Sequence, residues 1–207
     1  MLLQKDDHIL FFGDSITARG RMMDKAAGLG DGFVRMVADQ LASRWPELNL
    51  KVTNRGIGGN RIRDLENRLQ ADVIVLKPGV VSILAGINDT WRRYDKNVLS
   101  PVEDFAQAYR RICSRIVGEL GARLVICEPF ALAVPPVQKH WREDLDPRIQ
   151  ATREVAGEFK ALYIPLDGIM AAATCQHAPK DLLKDGVHPT EIGHALIART
   201  WINAVTS

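Results

Sequence analysis

Four short segments, far apart in the chain, carry residue types that could together open an ester. Gly13-Asp14-Ser15 follows an apolar run, 8–12, that reads as a buried strand turning at the glycine. A serine just past the carboxyl end of such a strand sits where open α/β sheets bind ligands. Serine is a weak nucleophile until a base takes its proton, so a histidine partner is required. Of the five histidines, His188 lies in Asp185-Gly186-Val187-His188-Pro189. The two-residue gap lets Asp185 and His188 face each other across one turn, so that the carboxylate can fix the imidazole tautomer. Alone, His188 would read as an ordinary helix-entry residue before Pro189. Beside the serine and the donors below, it reads as the base. His194 falls on the final helix, where packing or solvent exposure is expected. His8, His140 and His177 read as structural or solvated.

Acyl transfer also needs fixed donors for the developing oxyanion, and losing one typically costs ~10²–10³ in kcat. Asn54-Arg55-Gly56-Ile57-Gly58-Gly59-Asn60 follows the second strand, where a glycine exposes its N–H and admits a close approach. Gly86-Ile87-Asn88-Asp89 follows the third, and the Asn88 amide can donate toward the same crevice. The Ser15 N–H completes a set of three. The glycine turn could instead cradle a phosphate, but neither GxGxxG nor GxxxxGK[ST] is present, which argues against a nucleotide. Asn88 and Asp89 could also be a cap or turn pair.

The elements that must position these residues alternate along the chain. Strands are expected at 8–12, 50–54, 80–85, 124–127 and 162–165, short and apolar, as parallel strands covered on both faces would be. Helical spacing joins Phe33, Val34, Val37 and Leu41, then Ile62, Leu65 and Leu69. Ser100-Pro101-Val102-Glu103 reads as a capping box with proline at the first helical position, ahead of Phe105, Tyr109, Ile112 and Ile116. A further helix is expected over 147–160 and a last one from Thr190. The alternation predicts a doubly wound α/β fold with about five parallel strands. Segment 128–146, with Pro129, Pro135 and Pro136, is either a wall of the pocket or a plain connector.

The 207 residues suit one domain, 1–207. A net charge of +2 gives no reason to expect nucleic acid or an anionic membrane as partner, and no apolar stretch approaches a membrane span. The N-terminus lacks a basic segment followed by a long apolar one, so no signal peptide and a cytoplasmic location are expected. Three cysteines without CxxC spacing suggest reduced thiols, with Cys113 and Cys127 in the core. Cys175 lies near His177, but no third metal ligand is suitably spaced, so no metal is expected.

The four blocks resemble those of the SGNH, or GDSL-type, hydrolases, in order and across nearly the whole chain. They read Gly13-Asp14-Ser15, Gly58, Gly86-Ile87-Asn88-Asp89 and Asp185-Gly186-Val187-His188. The α/β-hydrolase motif GxSxG is excluded because position 17 is Thr17. The resemblance implies a three-layer α/β/α sandwich around a five-stranded parallel sheet, a flavodoxin-like SGNH fold. It implies Ser15 as nucleophile, His188 as base, Asp185 as its orienter, and Ser15, Gly58 and Asn88 as the oxyanion hole, with no cofactor. Within the family, the segments around Ser15 and Asn88 look most like bacterial cytosolic carbohydrate acetylesterases acting on xylo-oligosaccharides. Asp14, Trp91, Arg92 and Tyr94 are then substrate-binding candidates. Trp91 and Tyr94 would form a sugar-stacking wall and Arg92 or Arg93 would bond hydroxyls; alternatively Trp91 packs in the core and the arginines are solvated. A lysophospholipase or acyl thioesterase is the alternative within the family. Relatives of this kind are often homo-oligomers.

Overall fold

The structure is a computed structural model and describes residues 2–23 and 28–207. Five strands, β1 (His8–Gly13), β2 (Lys51–Gly56), β3 (Val80–Leu84), β4 (Arg123–Cys127) and β5 (Leu162–Ile164), form one sheet. Their order is β2-β1-β3-β4-β5, and every pairing is parallel. The chain leaves β1 toward β2 on one side and places β3 on the other, which opens a crevice at the carboxyl ends of these strands.

The helices are α1 (Ser15–Ala18), α2 (Phe33–Arg44), α3 (Ile62–Asp72), α4 (Ile87–Lys96), α5 (Val102–Leu120), α6 (Arg142–Glu158), α7 (Leu166–Ala173), α8 (Pro179–Leu182) and α9 (Glu191–Thr206). Helices cover both faces, which is why the strands are apolar without alternation. Ile9 and Phe11 of β1 meet Phe33 and Val37 of α2 and Trp201 of α9 in one core. Leu10 and Phe12 meet Leu65 of α3 and Tyr109 of α5 in the other. The buried Trp201 donates its Nε1–H to Ser82 Oγ at 2.9 Å and so fixes α9 over β3. Cys113 and Cys127 are buried free thiols. No helix among the described residues is long and apolar enough to cross a membrane.

The strands and the first helices lie where expected, but three helix boundaries differ. Helix α5 begins at Val102, so Pro101 precedes it and no side chain caps it. Ser100 is drawn away because its Oγ donates to Asp89 Oδ1 at 3.0 Å. Helix α6 begins at Arg142, five residues before the expected Pro147, which lies inside it. The added turn buries Leu145 and is held by the Arg148–Asp144 ion pair at 3.0 Å. The segment after Gly86, for which a cap or turn pair is the alternative reading, continues as α4.

His194 of α9 is buried against Phe33, whose N–H it accepts at Nδ1 across 3.2 Å. Burial, helped by the Arg19 charge, pushes its pKa down from 6.5 to about 4. The unfolded chain therefore takes this proton first as pH falls, and the neutral ring's contribution is complete above 6.5 and lost toward 4. On the order of 3 kcal/mol should disappear over that window. His194→Gln, which keeps an acceptor, should show a shallower acid limb in denaturant melts. Equal slopes would exclude His194 as the titrating group.

Candidate active site

Ser15 opens α1 directly after β1, with Asp14 Oδ1 accepting from Ile16 N–H at 2.9 Å to hold the turn. Ser15 Oγ lies 2.9 Å from His188 Nε2, and His188 Nδ1 lies 2.7 Å from Asp185 Oδ2. The three residues thus stand in a line that can pass a proton from the serine to the imidazole. Asp185 Oδ1 also accepts from the backbone N–H groups of Val187 and His188, at 3.1 and 2.8 Å. Partial burial raises the Asp185 pKa, but the hydrogen bonds from His188 and Val187 outweigh it and hold the carboxyl below its ordinary value. The aspartate is therefore ionised where its neighbour needs it. The loop closes on itself through a Leu183–Pro189 bridge and Lys184 N–H donating to His188 O at 2.9 Å.

Gly58 faces the serine: a Cβ added to it would lie 3.8 Å from Ser15 Cβ. Asn88 is nearly buried, and its Nδ2 donates to Asn60 O at 3.0 Å. That bond uses one amide hydrogen and leaves the second to donate elsewhere. The adjacent Asp89 is buried, accepts from Ile62 N–H at 3.0 Å, and has its pKa raised by burial despite the Arg148 charge. Asn88 and Asp89 together therefore tie α4 to the turn that carries Gly58. Ser15, Gly58, Asp185 and His188 line a cavity of about 450 Å³ whose rim carries Arg19, Lys184 and His194.

The other expected residues divide. Asp14 is fully buried, its Oδ2 has no partner, and burial pushes its pKa up to about 7. It holds the nucleophile's turn from within and presents nothing to a substrate, which corrects the substrate-binding expectation. Trp91 is half-buried, with its ring centre 5.7 Å from that of His188. Tyr94 stacks on Trp141 at 5.0 Å. Arg92 pairs with Asp95 at 2.6 Å and comes within 3.2 Å of where a Gly59 Cβ would stand. Arg93 pairs with Asp144 at 2.8 Å, which occupies its guanidinium. His8 bonds Thr53, while His140 and His177 are exposed. Among the described residues no cluster of His, Cys, Asp or Glu could hold a metal ion.

Segment 128–146 proves to be a brace. Leu132 N–H donates to Gly186 O at 2.9 Å, and Trp141 packs edge-on against Trp91 at 5.6 Å. In the sequence the signals are a proline-rich stretch after β4 and its aromatics Phe130 and Trp141; Leu132 carries none. Gly186 has φ 84°, and a Cβ there would collide with the carbonyl oxygens of Leu132 and Val134. Gly186→Ala should therefore displace the Asp185–His188 loop and lower kcat roughly a hundredfold, with little change in KM. Steady-state kinetics on a p-nitrophenyl ester checks this. An unchanged kcat would show that the brace does not set the loop.

Known proteins resemble the chain over its whole length. It is 32% identical over 212 residues to an acetylxylan esterase from Geobacillus stearothermophilus, covering 99% of this chain and 96% of that one. The crystal structure of a catalytic mutant of an acetylxylan esterase from the same organism superposes with a TM-score of 0.91 at 30% identity, covering 100% and 97% of the two chains. An alpha/beta hydrolase enzyme from the metagenome of Lake Arreo, Spain, superposes with a TM-score of 0.90 at 27% identity, covering 100% and 98%. The five-stranded parallel sheet and its helical layers are thus those of the SGNH hydrolases. Residues 11–196, which include all four sequence blocks, match the GDSL-like lipase/acylhydrolase family, and the chain belongs to it.

Proposed function

We propose that residues 1–207 form one serine esterase domain that removes O-acetyl groups from xylo-oligosaccharides or related sugars. The carrying observation is the line Ser15 Oγ–His188 Nε2–Asp185, at 2.9 and 2.7 Å, in a chain similar throughout to an acetylxylan esterase. Ser15 Oγ attacks the acetyl carbonyl carbon while His188 Nε2 takes its proton. Negative charge gathers on the carbonyl oxygen, where the Ser15 and Gly58 N–H groups and the free amide hydrogen of Asn88 receive it. His188 then returns the proton to the sugar oxygen, the C–O bond breaks, and the acetyl group remains on Ser15. Water follows the same path: His188 deprotonates it, it attacks the acyl-enzyme, and acetate leaves as Ser15 recovers its proton. The ionised Asp185 stabilises the imidazolium formed in each half.

No cofactor enters these steps. The cavity beside Ser15 sets Arg19, Lys184 and His188 beside Ile16, Ala18 and Pro189 on its walls, a mixed lining that can take an acetyl group and a polar sugar. Trp91, Arg92 and Tyr94 supply the sugar side. Arg92, beside Gly59, is placed to bond a sugar hydroxyl, and the Trp91 and Tyr94 edges flank the approach. A cytoplasmic location agrees with the buried thiols of Cys113 and Cys127.

Acetate release from acetylated xylo-oligosaccharides should be fast in the parent and abolished in Ser15→Ala, which should keep its fold. A p-nitrophenyl ester series should fall steeply beyond butyryl. Activity that rises toward palmitoyl, without sugar deacetylation, would move the protein to lipid or thioester hydrolysis. Asn88→Ala should lower kcat by about 10²–10³ with KM nearly unchanged. A change in KM alone would remove Asn88 from the oxyanion hole.

A further inference from the structure

Arg68 of α3 has its side chain 14% exposed, in a region with no substrate-facing role in the reaction above. Its guanidinium makes four hydrogen bonds. Nη2 donates to Gly13 O at 2.9 Å, Nη1 to Arg55 O at 2.9 Å and to Asp72 Oδ2 at 2.7 Å, and Nε to Asn60 Oδ1 at 2.7 Å. Its carbon centre lies 4.4 Å from the centre of the Phe12 ring. Asp72 balances the charge, and the other three acceptors belong to the segments that surround the nucleophile.

Each of those three bonds holds a segment that leads into, or bonds to, an oxyanion donor. Gly13 O belongs to the peptide that leads into Asp14 and Ser15, and it also accepts from Ile57 N–H at 3.0 Å. Arg55 O lies in the penultimate residue of β2, just before the turn to Gly58. Asn60 closes that turn, and its own carbonyl accepts from Asn88 Nδ2 at 3.0 Å. Gly13 O and Arg55 O, in the last rungs of the sheet, each have a second lone pair to offer, and Asn60 Oδ1 stands outside the sheet, so one donor group can join all three. A planar fork with five donors can hold three separate acceptors at fixed angles; an ammonium on a flexible stem cannot.

We infer that Arg68 is a positioning residue: it sets the spacing of Ser15, Gly58 and Asn88, and hence the shape of the oxyanion hole. The inference rests on the assignment of those three donors to the hole. It predicts a loss confined to transition-state stabilisation. The Ser15–His188–Asp185 line is untouched by the substitution, so the pH midpoint of kcat/KM stays where it was.

Arg68→Met keeps the aliphatic stem and removes the fork; Arg68→Lys keeps the charge. Both should lower kcat roughly ten- to a hundredfold, with KM within about threefold. Inactivation by a p-nitrophenyl phosphonate, whose P=O oxygen enters the same hole, should slow in parallel. Asn60→Ala removes a single arm and should cost less. In the double variant it should add little to Arg68→Met, because the two share one interaction. Normal kcat and normal phosphonylation in Arg68→Met, with only a lowered Tm, would make Arg68 a structural clip and overturn the inference. If Arg68→Met fails to fold, an unchanged kcat in Asn60→Ala overturns it. Esterase activity surviving in Ser15→Ala would instead condemn the serine mechanism, so the two failures are distinguishable.

Discussion

A single carboxylate, that of Asp185, accepts from two backbone N–H groups with one oxygen and from the His188 ring with the other. The first pair of bonds folds the loop, and the second selects the tautomer that leaves Nε2 free to face Ser15. Loop shape and proton chemistry therefore depend on one ionised group. The loop itself is carried by larger parts. It enters α9 through Pro189 and Thr190, and α9 is fixed over β3 by the Trp201–Ser82 bond. From below, Gly186 admits Leu132 and Val134 at a distance no side chain would allow. A histidine far along the chain thereby meets a serine at the end of β1, with Trp201 of α9 also packed on Phe11 of β1 at 5.0 Å.

Polar burial in this molecule concentrates at the carboxyl edge of the sheet. Asp14, Asn88 and Asp89 lie there, each nearly or fully buried, while the strands below are mostly apolar, with Ser82 of β3 and Asn54 of β2 as buried polar residues. Burying a carboxylate is costly unless hydrogen bonds compensate. Here each carboxylate fastens a loop: Asp14 takes the Ile16 N–H, and Asp89 takes the Ile62 N–H and the Ser100 hydroxyl. The raised pKa values of Asp14 and Asp89 mark the same cost from the protonation side. Arg148, wholly buried against Asp144 and Ser100 O, extends this scaffold to α6.

The parts of the site that could be read from the sequence are those whose chemistry is local. Asp185 and His188 are three residues apart, and Gly13, Gly58 and Asn88 each follow a strand whose apolar run is plain. The sheet was legible for the same reason, since burial on both faces leaves runs without alternation. The groups that hold the site are different. Arg68 bonds residues 55 positions away at Gly13 and 13 positions away at Arg55, and on its own helix it reads as one more polar residue. Ser100 looked like a helix cap because its neighbours fit that pattern; Asp89, eleven positions back, takes its hydroxyl instead. Pro147 looked like a helix start because tertiary support for the preceding turn, from Leu145 and the Asp144 pair, is invisible locally.

The aromatic group beside the site is engaged largely within the protein. Trp141 is almost fully buried, and Tyr94 lies flat on it with 7° between the rings. Trp91 stands edge-on to Trp141 and tilted toward His188. Most ring area in this trio is thus used within the protein, between α4 and segment 128–146. A sugar stacked on these rings would meet their edges and exposed margins, not a free face. The trio's larger effect is mechanical: it presses α4, with Asn88 at its start, and the brace under Gly186 against one another. The Asn88 end of α4 and the Asp185–His188 loop are thereby held at a common spacing, and a change in the Trp91–Trp141 contact would reach both at once.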